Sequence, residues 1–242
     1  MKENQIIGEL VARDYRTASV FKKYSIDFCC QGNRTIEEAC EKKNIDTKKV
    51  LEDLVAMMEA KSESTTDYQS WPLDLLADYI EKKHHRYVQE KTLEIQPYLD
   101  KICKVHGERH PELLEIKEEF NASAGELAAH MKKEEMILFP FIRKMTKAKL
   151  ENTKVDAAHF GTVKNPIQMM MNEHTVEGNR FRKIEELSNN YTPPLDACNT
   201  YRVSFALLKE FEQDLHLHIH LENNILFPRA IEIEKELIQN LN

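Results

Sequence analysis

Apolar residues return every third or fourth position along most of this chain, and four long stretches carry the pattern. They run through Leu73, Leu76, Ile80 and Tyr87; Phe120, Leu127, Ile137 and Phe141; Ile167, Met170, Phe181 and Ile184; and Leu208, Phe211, Leu215 and Ile225. That spacing follows the 3.6-residue turn of a helix with one buried face, so four long helices are predicted. The breaks between them are HGERHP, a polar segment from about Lys144 to Asn165, and NNYTPP. Pro72-Leu73 opens the first helix of one hairpin and Pro166-Ile167 the first helix of another, which makes a four-helix bundle. Ahead of it, KSESTTDYQS at 61–70 is polar and without period, and marks a boundary. Before that boundary a first helix is expected over roughly Ile6 to Tyr24. A loop then carries Phe28, Cys29, Cys30, Gln31 and Gly32, and two short helices start from the N-caps Thr35 and Asp46. The expected organisation is all-α: a small helical domain over 1–60, a linker over 61–71, and an antiparallel four-helix bundle over 72–242.

Composition agrees with this reading. Six glycines and eight prolines in 242 residues, with 31% charged residues, leave few turn signals and favour long amphipathic helices. The net charge of −7 is spread over mixed-sign faces, and no basic block points to nucleic acid. Without a signal-like N-terminus or an apolar run of about eighteen residues, the expectation is a soluble cytoplasmic protein with no membrane partner. Five cysteines, an odd number, argue against a disulfide scaffold.

The chemistry lies in a phrase that occurs twice. His130, Glu134 and Ile137 to Pro140 are repeated as His218, Glu222 and Ile225 to Pro228. Residues four apart lie one helical turn above each other, so each pair aims an imidazole and a carboxylate at one point. An exposed ion pair is the ordinary reading of such a match. Here both pairs fall on the apolar stripes, and a buried carboxylate needs a partner or a metal. Two nitrogens and two carboxylates suit iron, manganese or zinc.

Each hairpin also carries a histidine on its first helix. His174 lies on the stripe of Ile167, Met170, Phe181 and Ile184, and precedes His218 by 44 residues. In the first hairpin His85 precedes His130 by 45 and His84 by 46; the spacing favours His85, whereas the local stripe lies closer to His84. His216 and His220 share a face with Lys209, Gln213 and Asn223, and are expected on a solvated face or just behind the ligands. One histidine from each of four helices plus Glu134 and Glu222 make a symmetric dinuclear site, with a solvent-derived oxo or hydroxo bridge completing it. Open positions would remain, where O2 or NO could bind if the metal is iron. No catalytic residue is singled out. Glu126, one turn before His130, and Glu173, beside His174, could orient ligands, move protons or line an access route, or be ordinary helix-surface charge. Cys29 and Cys30 read as a redox or cluster-contact pair or as a packed loop, and the absence of Cys-x-x-Cys spacing favours the loop.

The segments YSIDFCCQGNRTIEEAC, HHRY, HMKKEEMILFP, MNEH and HIHLENNILFP span nearly the whole length. Together they resemble the RIC (repair of iron centres) family, in which a hemerythrin-like bundle follows a domain with a cysteine pair. The resemblance implies a di-iron protein that restores iron–sulfur clusters damaged by oxidative or nitrosative stress, by iron donation or by NO removal. It also selects His85, so the implied iron ligands are His85, His130, Glu134, His174, His218 and Glu222. The implied partners are damaged iron–sulfur proteins, with NO or O2 as the small ligand; a homodimer is left open. An NO-reducing enzyme and an O2 or NO sensor or carrier stand as alternatives. Two positions depart from the pattern. Oxygen-carrying hemerythrins have a histidine where this chain has Gly178, which argues against a carrier, and Gln31 stands where relatives commonly have glycine.

Overall fold

The computed structural model describes residues 1–60, 66–156 and 158–239. The chain is all-α. Extended pairing among the described residues is confined to isolated bridges such as Ile6 to Thr35. By proximity the chain divides into two compact units, one of residues 1–76, 142–163 and 219–242, the other of 77–141 and 164–218.

The first unit begins with four short helices, α1 (Ile7–Arg13), α2 (Thr17–Lys23), α3 (Ile36–Lys43) and α4 (Thr47–Glu59). The single helix expected over Ile6 to Tyr24 is broken at Asp14. Its carboxylate accepts the Arg16 N–H at 3.1 Å and the Arg16 guanidinium, so the side chain competes with the helical pattern and restarts the chain at α2. Thr35 and Glu38 form a reciprocal capping box on α3, and Asp46 caps α4. Ile7, Val11, Phe21, Ile36 and Leu54 close the core of this group. Of the expected linker, residues 61–65 lie outside the described residues; Tyr68–Ser70 forms a 3-10 turn capped by Asp67, and the Trp71 carbonyl accepts from Arg229 at 2.9 Å.

The long helices follow as α5 (Leu73–Tyr79), α6 (Arg86–His106), α7 (Glu112–Lys133), α8 (Phe139–Glu151), α9 (Lys164–Leu187), α10 (Asn199–Leu221) and α11 (Phe227–Gln239). The segment from Lys144 expected as a polar loop stays helical to Glu151, because Ile142, Met145 and Ala148 bury one face while the lysines remain outside. In the second unit the parts of four helices pack around Phe120, Phe181 and Phe211, with ring centroids 5.3 and 5.5 Å from Phe211. Among the described residues, no helix is long and apolar enough to cross a membrane.

Among the described residues, three helical joints are π-helical: Ile80–His85, Glu134–Leu138 and Glu222–Leu226. The last two begin at the repeated glutamates and end two residues before Pro140 and Pro228. A proline ring collides with the carbonyl four residues back and offers no N–H, and a wider i→i+5 turn absorbs both defects. The extra residue rotates the face that follows. Ile137, expected on the core stripe, is exposed and Phe141 only half-buried, while Leu138, Phe139 and Ile142 point inward.

Phe211 packs on two of the buried rings, so Phe211→Ala should cost about 3–5 kcal/mol of unfolding free energy, the usual range for a buried phenylalanine truncation. Urea denaturation followed by circular dichroism checks this; a change below about 1 kcal/mol would contradict the packing described.

Candidate metal centre

The second unit gathers His85, His130, Glu134, His174 and His218 in its interior, each nearly or fully buried. Glu134 is the hub. Its Oε2 lies 3.4 Å from His85 Nε2 and 3.3 Å from His130 Nε2. One ligand atom each of His85, Glu134 and His218 lie within 4.8 Å of one another, and the same holds for His130, Glu134 and His174. Glu222 opens the π turn one helical turn beyond His218 on the continuing helix and is fully buried, within the unit described first.

Outer carboxylates set the direction of the ring nitrogens. His85 Nδ1 meets Glu135 Oε1 at 2.8 Å, and His130 Nδ1 meets Glu173 Oε2 at 2.7 Å. A carboxylate only accepts, so each Nδ1 carries the proton, and in a neutral ring Nε2 is left as a lone pair facing Glu134. Lone pairs and a carboxylate repel in a dry interior unless a cation lies among them. His130 Nε2 and His174 Nε2 are 3.1 Å apart, against about 3.0 Å for two nitrogens at right angles around a metal with bonds of ~2.1 Å. The donor set therefore fits a cation of mixed nitrogen and oxygen preference.

Glu173 is the better supported of the two outer glutamates named from sequence. Its hydrogen bond to His130, and then Lys133, hold its carboxyl at about 2. Glu126 pairs with Arg180 at 2.9 Å and lines a cavity of ≈ 240 Å³ together with Leu127, His130, Lys133, Glu173 and His174. Gly178 is buried on the turn after His174. Beside it Glu177 accepts from Ser123 Oγ at 2.5 Å and pairs with Arg180, while burial raises its carboxyl.

Sequence periodicity left His84 against His85 open because it assumed a regular α-helix. The π turn buries both: His85 joins the cluster, whereas His84 binds Asp214 through Nδ1 at 3.0 Å and stacks on His218. Glu135 and Asp214 were missed. Each reaches its histidine from a different helix, and the only sequence signal was a carboxylate directly following Glu134.

His220 is a correction. It is buried rather than on a solvated face, held between Tyr15 and Phe28, and burial alone lowers its pKa to about 3. His216 remains half-exposed. The loop after α2 covers this part of the chain: Asn223 and Asn224 donate to the Cys29 and Phe28 carbonyls at 3.1 and 3.2 Å. Cys29 is buried, Cys30 half-buried, and their sulfurs are 3.7 Å apart.

Comparison with known proteins matches both parts of the chain. Residues 3–58 fit a family described as a domain of unknown function (DUF542), and residues 76–230 fit the hemerythrin HHE cation binding domain. A protein named iron-sulfur cluster repair protein YtfE from Yersinia pestis (strain Pestoides F) is 35% identical over 231 residues, covering 96% of this chain and 98% of its own. Its counterpart from Yersinia pseudotuberculosis serotype IB (strain PB1/+) is 34% identical with the same coverage. A cation-binding bundle and relatives that match almost end to end place the chain in one group: it belongs to the RIC family of hemerythrin-like, YtfE-type proteins.

Proposed function

We propose that this chain is a cytoplasmic di-iron protein that restores iron–sulfur clusters damaged by oxidative or nitrosative stress. The observation that carries the reading is the buried Glu134 carboxylate between two imidazole nitrogens whose other nitrogens are tied to Glu135 and Glu173. His85 and His218 would hold one iron and His130 and His174 the other, with Glu134 and Glu222 shared. When bound, iron supplies exchangeable positions for NO or O2 and a ferrous ion that can be passed on. The protein's own part is to hold the acceptor nitrogens in place, keep bulk water out with Leu127 and Phe139, and offset the Glu173 charge with Lys133. The names of the relatives support the assignment of clients as damaged iron–sulfur proteins. Residues 1–60 we take as the domain that meets them. A second reading, reduction of NO at the same centre, is favoured by the cavity beside His130 and His174.

Anaerobically reconstituted protein should hold two irons per chain by metal analysis, coupled in the Mössbauer spectrum. Glu134→Leu should lose most of that iron while remaining helical. A folded wild type with one zinc or no metal would sink the proposal.

Glu173→Gln should keep an acceptor for the His130 N–H but remove its charge. Iron affinity should fall by about 10–100-fold, the effect typical of such outer partners. Glu126→Gln should leave it unchanged. Competition with a ferrous chelator measures both.

Gly178→His places an imidazole one turn beyond His174. Iron should be retained more tightly and pass more slowly to an apo iron–sulfur protein. If the variant holds iron tightly yet restores clusters at the wild-type rate, NO removal replaces iron donation as the mechanism.

A further inference from the structure

The loop between α2 and α3 holds a second group of donors, with no member in the His/Glu set. One ligand atom each from Asp27, Cys29 and Cys30 lie within 4.8 Å of one another. Neighbouring residues usually send their side chains apart. Here Asp27 Oδ1 accepts the backbone N–H of Cys29, Cys30 and Gln31 at 3.2, 2.9 and 3.3 Å, curling the chain and bringing the two sulfurs together. Gly32 permits the curl, since a Cβ there would meet the Phe28 carbonyl at 2.4 Å. The curl is held from outside as well, by Asn223 and Asn224 on the Cys29 and Phe28 carbonyls and by the Gly8 N–H on the Gly32 carbonyl at 2.7 Å.

The spacing is that of a coordination site. Two sulfurs bonded at ~2.3 Å to a tetrahedral cation lie about 3.8 Å apart, and a sulfur and a carboxylate oxygen about 3.5 Å apart. The chain has 3.7 Å between Cys29 Sγ and Cys30 Sγ, and 3.5 Å between Cys29 Sγ and Asp27 Oδ1. Cys29 is buried, while Cys30 and Asp27 are half-exposed, which gives a cation an entrance and room for a further ligand.

We propose that Asp27, Cys29 and Cys30 form a binding site for a thiophilic cation such as Zn²⁺, Cu⁺ or Fe²⁺, with water or a client side chain at the remaining position. On binding, each thiol releases its proton to solvent and its sulfur lone pair goes to the cation, so two protons leave for each cation bound. Before that, the hydrogen bond with Cys30, and then burial, hold the Cys29 thiol well above its usual range, so a cation must displace its proton. The inference does not depend on the cluster-repair reading, because it concerns a different set of side chains.

Full-length, iron-loaded protein, reduced and kept anaerobic, is titrated with Cd²⁺, whose thiolate complexes absorb in the ultraviolet. Iron content is followed in parallel, since Cd²⁺ replacing iron on histidine and glutamate gives no thiolate band. Wild type should develop the band with saturation at one equivalent, and the double variant Cys29→Ser/Cys30→Ser should lose it. Asp27→Asn, whose amide oxygen can still accept the three N–H groups, should need at least about tenfold more Cd²⁺. No thiolate band in wild type, the same band in the double variant from Cys40, Cys103 or Cys198, or equal affinity in Asp27→Asn would each overturn the proposal.

Discussion

The second unit is organised around a buried carboxyl group. Glu134 has no exposed surface and faces ring nitrogens whose protons are committed elsewhere. Such a group is costly to bury in isolation, and the surrounding features reduce that cost or require a cation to cancel it. Glu135, Glu173 and Lys133 are arranged around it so that charge alternates outward from the interior to the surface. Polar groups gathered in this way are worth little to stability while the cation is missing, so metal binding and tight packing of this region are coupled. The phenylalanine cluster at Phe120, Phe181 and Phe211 is the apolar counterweight that can keep the helices together through that stage.

The π turns give the buried donors their positions. A regular helix delivers one inward residue per turn on a narrow stripe. At Ile80–His85 the wider turn brings two consecutive histidines inside, and they divide the work: one faces Glu134, the other ties Asp214 to the His218 ring. At Glu134 and Glu222 the same device sits at the same offset from a proline. The repeated Ile-Leu-Phe-Pro phrase thus bears on the backbone as well as on packing, since its proline removes one N–H and crowds the carbonyl four residues back, although Pro97 sits inside α6 without a π turn.

This explains which parts of the structure were legible in the sequence. Phe120, Leu127 and His130, or Leu208, Phe211, Leu215 and His218, share a face because each run lies upstream of a π turn, where the 3.6 period holds, and Glu134 opens the turn that follows. Ile137, inside one, came out exposed, whereas Ile225 at the equivalent place in the other copy is buried as expected. Helix starts marked by Thr35 and Asp46 were legible because a cap is a local interaction of three residues; the break at Asp14 is equally local, but an aspartate inside an apolar period carries no unambiguous sign. Glu135, Asp214 and the burial of His220 were not legible. Their partners come from other helices, or from the loop around Phe28, and nothing within one turn of any of them announces the contact.

Cys29 and Asn223, which share a hydrogen bond, are 194 residues apart in the chain. The side chains that hold this loop come from α10 and the π turn after it, far downstream of the helices that flank the loop. During synthesis Tyr15 and Phe28 therefore stay without their His220 cover until that distant stretch has been made, and closing so long a loop is slow compared with forming any single helix. The loop is thus made well before the side chains that secure it, a window in which its two thiols are open to the surrounding solution.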